Sequence, residues 1–419
     1  MNSSASTSPI NRLSKDHQTH LDSQSTQWLN VIMLWLAGVY AAMQFAKFSS
    51  TYDLLLQYYQ TSSTTISLAL SSVGIMGLIF GTIAGVLSGK LGHKKVLILS
   101  LLLGCLLSFS QSFLPRIEYL LVTRVLEGLS HLGVVVSAPT LMIAISAKKH
   151  QAISMGLWGT FFGVAFALMG WFSPFFVSEG LGALYQFHSL LSLPLILYLV
   201  FCLKLPQTKS TDIDDSASDS NQPLGFIHLF NDLAKVYQSI RTLLPGLVFL
   251  FHTSMFVALL TFIPRLSEDE QTKNQLFVLL PLVSIVGTFL AGVLAQYWFS
   301  AQRVGTLAYS GVALFSILTF MNIESPTHFY TFALCLLLFS GLVAGSAFAM
   351  IPFLAKDHDQ QAKSNGAIAQ LGNLGASIGP PLFAAILSLF DSIGMLVLII
   401  GLCLSGITLT LYANRFKQD

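Results

Sequence analysis

Gly85-Val-Leu-Ser-Gly-Lys-Leu-Gly-His-Lys-Lys-Val-Leu97 sets three lysines and a histidine between two long apolar runs. The chain around it is 53% hydrophobic and only 10% charged, with a mean hydropathy of +0.69. Soluble proteins charge about a quarter of their positions, so that class is excluded. Runs long enough to cross a bilayer, roughly 20 residues, recur on both sides of the turn. Twelve can be read, at 27–46, 64–88, 96–114, 119–147, 152–178, 185–204, 242–264, 275–297, 304–323, 328–355, 365–390 and 391–412. In lipid the backbone must satisfy its own polar groups, so these spans are expected to be helices, the overlong ones tilted or projecting.

The basic turn also orients the chain. If the spans alternate in direction, 16 of the 21 Lys and Arg residues fall on the side of this turn, including Lys90, Lys94, Lys95, Lys148 and Lys149. Lys47, Arg116, Arg265 and Lys273 fall on the other side, as loop residues, and Arg124 lies within a span. The positive-inside rule then places both termini in the cytoplasm. The first 26 residues are rich in Ser, Thr and Gln without an apolar core, which argues against a cleavable signal peptide. Short loops suit a bacterial inner-membrane protein. The basic residues are scattered through loops rather than gathered on one face, so nucleic acid is not an expected partner.

Five segments result: a polar tail (1–26), a six-helix bundle (27–204), a linker (205–241), a second six-helix bundle (242–412) and a short tail (413–419). The linker is acidic and Ser-rich at 211–220, and its end, 225–240, reads as an amphipathic surface helix. Ala84-Gly-Val-Leu-Ser88 and Ala291-Gly-Val-Leu-Ala295 close the second spans of the two halves, a weak repeat of the kind that duplicated transporter halves leave. Gly74, Gly77, Gly81, Gly85 and Gly89 recur at steps of three or four, a smooth stripe that permits either close static packing or sliding against a neighbour. Cys105, Cys202, Cys335 and Cys403 form no CxxC pair and read as small packing residues, so neither a disulfide nor a metal site is expected.

The turn resembles the signature between helices 2 and 3 of the major facilitator superfamily, roughly G-x-L-x-D-[RK]-x-G-[RK]-[RK]. Gly85, Leu87, Lys90, Gly92, Lys94 and Lys95 match; Gly89 replaces the acidic residue and His93 a basic one. Leu120-Leu-Val-Thr-Arg-Val-Leu-Glu-Gly128 is similar to the family's L-x-x-x-R-x-x-[QE]-G in helix 4, whereas the Gly-Pro ending of helix 5 is absent. The resemblance implies an all-α fold of twelve transmembrane helices in two pseudo-symmetric six-helix bundles, alternating access, and a monomer. It makes Gly85, Gly89, Lys90, Gly92 and Lys94 a conformational gate. Because the family's Asp helps close the cytoplasmic side, Gly89 is expected to weaken that closure.

Arg124 and Glu127 stand inside a span, where an unpaired charge costs roughly 2.5–3.5 kcal/mol. Three residues apart, they share a helical face and can pair. His131 extends that face. The trio can bind an anionic group, relay protons, or simply satisfy itself and pin the helix. Gln44, Trp158, His252 and Asn373 are further candidates for a substrate or proton pathway, since the helices that carry them line the cavity in the family. Asp53 and Lys47 read as a solvated outer loop, with a gate as the alternative. Gly375-Ala-Ser-Ile-Gly379 has the spacing of a nucleophile elbow but lies inside an apolar helix, so catalysis is not expected. No metal-ligand cluster, cofactor motif or phosphate loop is present. The reading is a proton-coupled secondary transporter of a small organic solute. An efflux carrier for drugs or metabolites and a non-translocating sensor are the alternatives, and a branch similar to cyanate permeases is open.

Overall fold

The computed structural model describes residues 25–205, 239–355 and 358–416. The acidic stretch of the linker and most of its surface helix lie outside the described residues. Among the described residues fifteen α-helices follow one another: α1 (Trp28–Ser50), α2 (Tyr52–Tyr59), α3 (Ser63–Ser71), α4 (Val73–Leu91), α5 (His93–Gln111), α6 (Ile117–Ala144), α7 (Gln151–Gly159), α8 (Phe161–Val177), α9 (Leu181–Phe201), α10 (Ile240–Phe262), α11 (Glu270–Tyr297), α12 (Ala301–Met321), α13 (Pro326–Ala349), α14 (Ile351–Leu354) and α15 (His358–Ala413). Ten helical segments of the described residues are long and apolar enough to cross a membrane, or eleven with the bent pair α3–α4. The last of them is divided at Asp391, whose φ of 54° and ψ of −157° leave the helical region, at the boundary expected between the final two spans. Phe201, Tyr297 and Met321 are more than 70% exposed, an outward apolar surface suited to lipid rather than water.

Where a single span was expected at 64–88, the helix bends by 45° at Ser72. The hydroxyl of Ser72 donates back to the Leu68 carbonyl, a bond that bends helices. Beside it, Arg124 Nε donates to Ala69 O at 2.7 Å and an Arg124 terminal nitrogen to Leu70 O at 3.2 Å. These carbonyls would otherwise accept from the next helical turn, so the arginine occupies the break. α6 can come this near because residue 128 is glycine: a Cβ there would stand 2.5 Å from Val73 O.

The first nine helices form one bundle, with α6 packed on α1, α4 and α5, and α9 on α5; α10–α15 form the other, with α10 along α15 and α13 on α11 and α12. Two symmetric seams join them, α8 against α11 and α15 against α3–α4. Gly163 and Gly170 bring α8 onto the backbone of Pro281 and Phe277, and Gly74 and Gly77 bring α4 onto Asn373 and Ser377. Gly375 and Gly379, the residues of the elbow-like motif, serve the same purpose inside the second bundle, facing the carbonyls of Leu250 and Ser254. Towards the end that holds the basic turn the seams part. A Cβ at Gly81, Gly85, Gly89, Gly159 or Gly292 would meet nothing within 4 Å. The glycine stripe thus packs at one end and stands free at the other.

Candidate functional site

α1 runs about one turn further than read from the sequence and ends at Ser50, so Lys47 is not a loop residue. It is a correction with consequences, because Lys47, Arg124 and Glu127 are all fully buried within the first bundle. Lys47 Nζ donates to Glu127 Oε1 at 2.7 Å, and Arg124 donates to Glu127 Oε2. Gln111 Nε2 shares Oε2 at 2.9 Å. One carboxylate therefore serves two cations, and the cluster carries a net charge of +1.

The remaining ammonium hydrogens of Lys47 point at Ser108 Oγ, 3.1 Å away, and His188 Nδ1, at 3.5 Å. His188 Nε2 lies 3.1 Å from Tyr40 O, an acceptor, so Nε2 carries the proton and Nδ1 presents its lone pair to the lysine. The Tyr40 ring stacks on that imidazole at 4.3 Å. The Arg124 guanidinium sits 4.0 Å from the centre of the Phe48 ring, a favourable cation–π contact once water is excluded. Each of the three charged groups thus has several hydrogen-bond partners, as tolerating charge inside a membrane demands.

His131 shares the α6 face but does not join the carboxylate. Both Glu127 oxygens are taken, and His131 Nδ1 instead donates to Ala41 O at 3.1 Å, its ring edge-on to Phe45. The ladder is Arg–Glu–Lys rather than Arg–Glu–His. Gln44 Nε2 donates to Ser130 Oγ at 3.0 Å beside the cluster. His252 is buried in the second bundle, with Nδ1 3.3 Å from Ser340 Oγ. Trp158 stacks on Phe161 and covers Gly38, away from the charges, and Asn373 lies in the α4–α15 seam. Lys47, Ser108, Gln111 and His188 complete the cluster. Tyr40, Gln44 and Lys47 stand at steps of four and three along α1, a spacing that puts Lys47 on the polar side of that helix and was legible once the helix extended past 46.

In the basic turn, Gly92 has φ +89°, a conformation that favours glycine, and Lys94 Nζ caps the end of α9 through Leu203 O at 2.7 Å and Val200 O at 3.3 Å. Gly85, Gly89 and Lys90 are exposed.

At the opposite end a second polar group crosses between the bundles. Arg265, expected in a loop, is nearly buried in the turn after α10, and its Nε donates to both Asp53 oxygens at 3.0 Å. Its terminal nitrogens donate to Ser49 O, at 2.7 Å, and to Thr261 O. The guanidinium stacks between Tyr52 (5.2 Å) and Phe277 (4.9 Å), and Ser49 Oγ meets Thr261 Oγ1 at 2.8 Å. Burial opposes the charge of Arg265 while Asp53 supports it. Asp53 stands in the first turn of the short helix α2 rather than in a loop.

Two helical bundles, clasped at one end, parted at the other and holding charge in their apolar interior, make this a multi-pass membrane protein. Residues 34–380 match the Major Facilitator Superfamily, and the chain belongs to that family. Over 187 residues it is 26% identical to the 4-hydroxybenzoate transporter PcaK of Pseudomonas aeruginosa, covering 43% of this chain and 40% of that protein. Over 106 residues it is 30% identical to the inner membrane metabolite transport protein YgcS of Escherichia coli K12, covering 25% of this chain and 24% of that one. These matches thus span less than half of either curated relative. Two crystal structures of a bacterial homologue of the human lysosomal transporter Spinster superpose with a TM-score of 0.71 at 12% identity. The inward-facing unoccupied form covers 92% of this chain and 96% of its own; the inward-facing occupied form covers 94% and 98%. At that identity the likeness shows the fold.

Proposed function

We propose that this protein is a secondary active carrier that moves a small organic anion across the bacterial inner membrane by alternating access, driven by protons. The observation that carries the reading is the asymmetry of the two seams: Arg265 and the glycines of α4 and α8 hold one end together, while Gly85, Gly89 and Gly292 stand free at the other. With both termini and the basic turn on the cytoplasmic side, as the distribution of lysine and arginine favours, this conformation is open inward and clasped outward. The twelve spans, the division at 205–241 and a monomeric state belong to the same proposal.

An anionic substrate accords with the interior charges. Among the described residues, Lys47, Arg124 and Glu127 are the fully buried charged groups, and their sum is positive. The name of the relative PcaK makes 4-hydroxybenzoate the first compound to try. Protons are the driving ion of choice because Glu127 and Lys47 form a hydrogen-bonded acid–base pair sealed from solvent, with His188 as the next acceptor.

The test is acidification-driven dye quenching in inside-out vesicles, wild type beside Glu127→Gln, with 4-hydroxybenzoate, aliphatic acids, amphipathic cations and neutral metabolites added in turn. Proton movement on addition of an acid, lost in a variant that still inserts, is the expected result. Uptake of radiolabelled acid without proton movement would overturn the coupling, and no movement of any compound would favour the sensor. Gly89→Asp is expected to draw the inner end together, seen as slower labelling of a cysteine placed at Gly85; unchanged labelling would remove Gly89 from the gate.

A further inference from the structure

Lys47 Nζ has three polar neighbours: Glu127 Oε1 at 2.7 Å, Ser108 Oγ at 3.1 Å and His188 Nδ1 at 3.5 Å. All three can accept, so they match the three N–H bonds of an ammonium. They match a neutral amine equally well, because an amine donates twice and accepts once. Glu127 and His188 keep their hydrogen bonds in that state. The Ser108 hydroxyl, which donates to Tyr185 O at 3.0 Å, turns and donates to Nζ instead. Rotation of one hydroxyl therefore exchanges one satisfied arrangement for the other.

Glu127 has no such freedom. Lys47 donates to Oε1, and Arg124 and Gln111 Nε2 donate to Oε2. The Gln111 amide cannot simply turn over: its nitrogen also donates to Thr123 Oγ1 at 3.3 Å, and that hydroxyl is spent on Leu120 O. A proton added to either carboxylate oxygen would thus face donors and find no acceptor. It would also raise the cluster from +1 to +2 in an apolar interior. Arg124 is fixed as a cation, since a guanidinium does not deprotonate in proteins. Loss of a proton from Lys47 instead lowers the cluster from +1 to zero and leaves the paired Arg124 and Glu127.

We infer that Lys47 carries the coupled proton of this transporter while Glu127 stays a carboxylate throughout the cycle. The inference rests on the proton-driven carrier reading and names its titrating group. On release one N–H bond of Nζ breaks, the electron pair stays on nitrogen and the proton passes to water; uptake reverses the step. The titratable groups facing the ammonium are Arg124 and Glu127 from α6 and His188 and Tyr185 from α9, with Tyr40 of its own helix stacked behind His188. Access follows from the outer clasp, which is built two residues further along α1. Arg265 donates to Ser49 O, and Ser49 Oγ meets Thr261 Oγ1. With the clasp shut Lys47 is fully buried, and parting it opens the way from Nζ to outer water.

Lys47→Arg keeps the charge and the donors but cannot release a proton. In the vesicle assay its proton movement should fall to the level of empty vesicles, while radiolabelled 4-hydroxybenzoate still exchanges for unlabelled. Lys47→Met, which leaves the Arg124–Glu127 pair intact, should behave alike and covers the case in which the larger guanidinium does not fit. Proton movement that survives in either variant would overturn the assignment. Difference infrared spectroscopy of the purified protein in lipid nanodiscs reads the carboxyl directly as pH is lowered. No carboxylic-acid carbonyl band that Glu127→Gln removes is expected; such a band would strike Lys47 and leave the carrier standing. Wild-type vesicles that exchange the labelled acid without moving protons would overturn the coupling and this assignment together.

Discussion

Glu127→Leu is expected to destabilise the protein more than Lys47→Met or Arg124→Leu, and that order is the sharpest consequence of the buried cluster. A carboxylate shared by two cations cannot be lost without leaving both uncompensated; removing one partner of a buried pair costs about 3–5 kcal/mol. Lys47→Met, by contrast, leaves a neutral Arg124–Glu127 pair, still held by Gln111 and the carbonyls of α3. Arg124→Leu keeps the Lys47–Glu127 pair but frees the carbonyls of Ala69 and Leu70 at the bend, a loss of about 1–3 kcal/mol. Thermal unfolding of the three variants in one detergent would rank them. A Glu127→Leu protein as stable as the wild type would mean that the cluster is neither as dry nor as charged as the contacts imply.

Arg265→Ala should release the outer end. The guanidinium makes charge-assisted bonds to Asp53 and Ser49 in the first bundle from a position in the second, and losing them removes roughly 1.5–3 kcal/mol from the clasped conformation alone. That converts to a shift of about ten- to a hundredfold in the ratio of outward-clasped to outward-open protein. Spin-label distances between the outer ends of α1 and α10 would broaden towards longer values. Asp53→Asn, which keeps hydrogen-bond acceptance but removes the charge, should fall between. Distances that stay short in Arg265→Ala would show that the glycine seams alone hold that end.

Much of the architecture could be read from local composition. The apolar runs at 96–114, 185–204 and 242–264 reappear as helices within a few residues, because a span's length is set by bilayer thickness and its polarity by the cost of an unbonded backbone. The division near 390–391 was also legible, since a charge and the following Ser-Ile-Gly interrupt an otherwise unbroken apolar run. The pairing of Arg124 with Glu127 followed from their spacing of three. Lys47 was misplaced for an equally physical reason. A lysine near the end of an apolar run ordinarily reaches for water, and nothing within α1 announces that a carboxylate on α6, 80 positions later, will neutralise it.

Sequence by itself determined that this chain spans a membrane as helices, in two halves, with a basic turn and a charged fourth span that mark its family. Tertiary structure alone decided which charges meet, where the second span bends, and which half of each glycine stripe is covered. Those outcomes depend on contacts between residues far apart in the chain: Arg124 on the carbonyls of α3, Arg265 across to Asp53, Gly170 against Phe277. Hydropathy is a property of one segment in lipid, whereas pairing and closure are properties of two segments and the space between them.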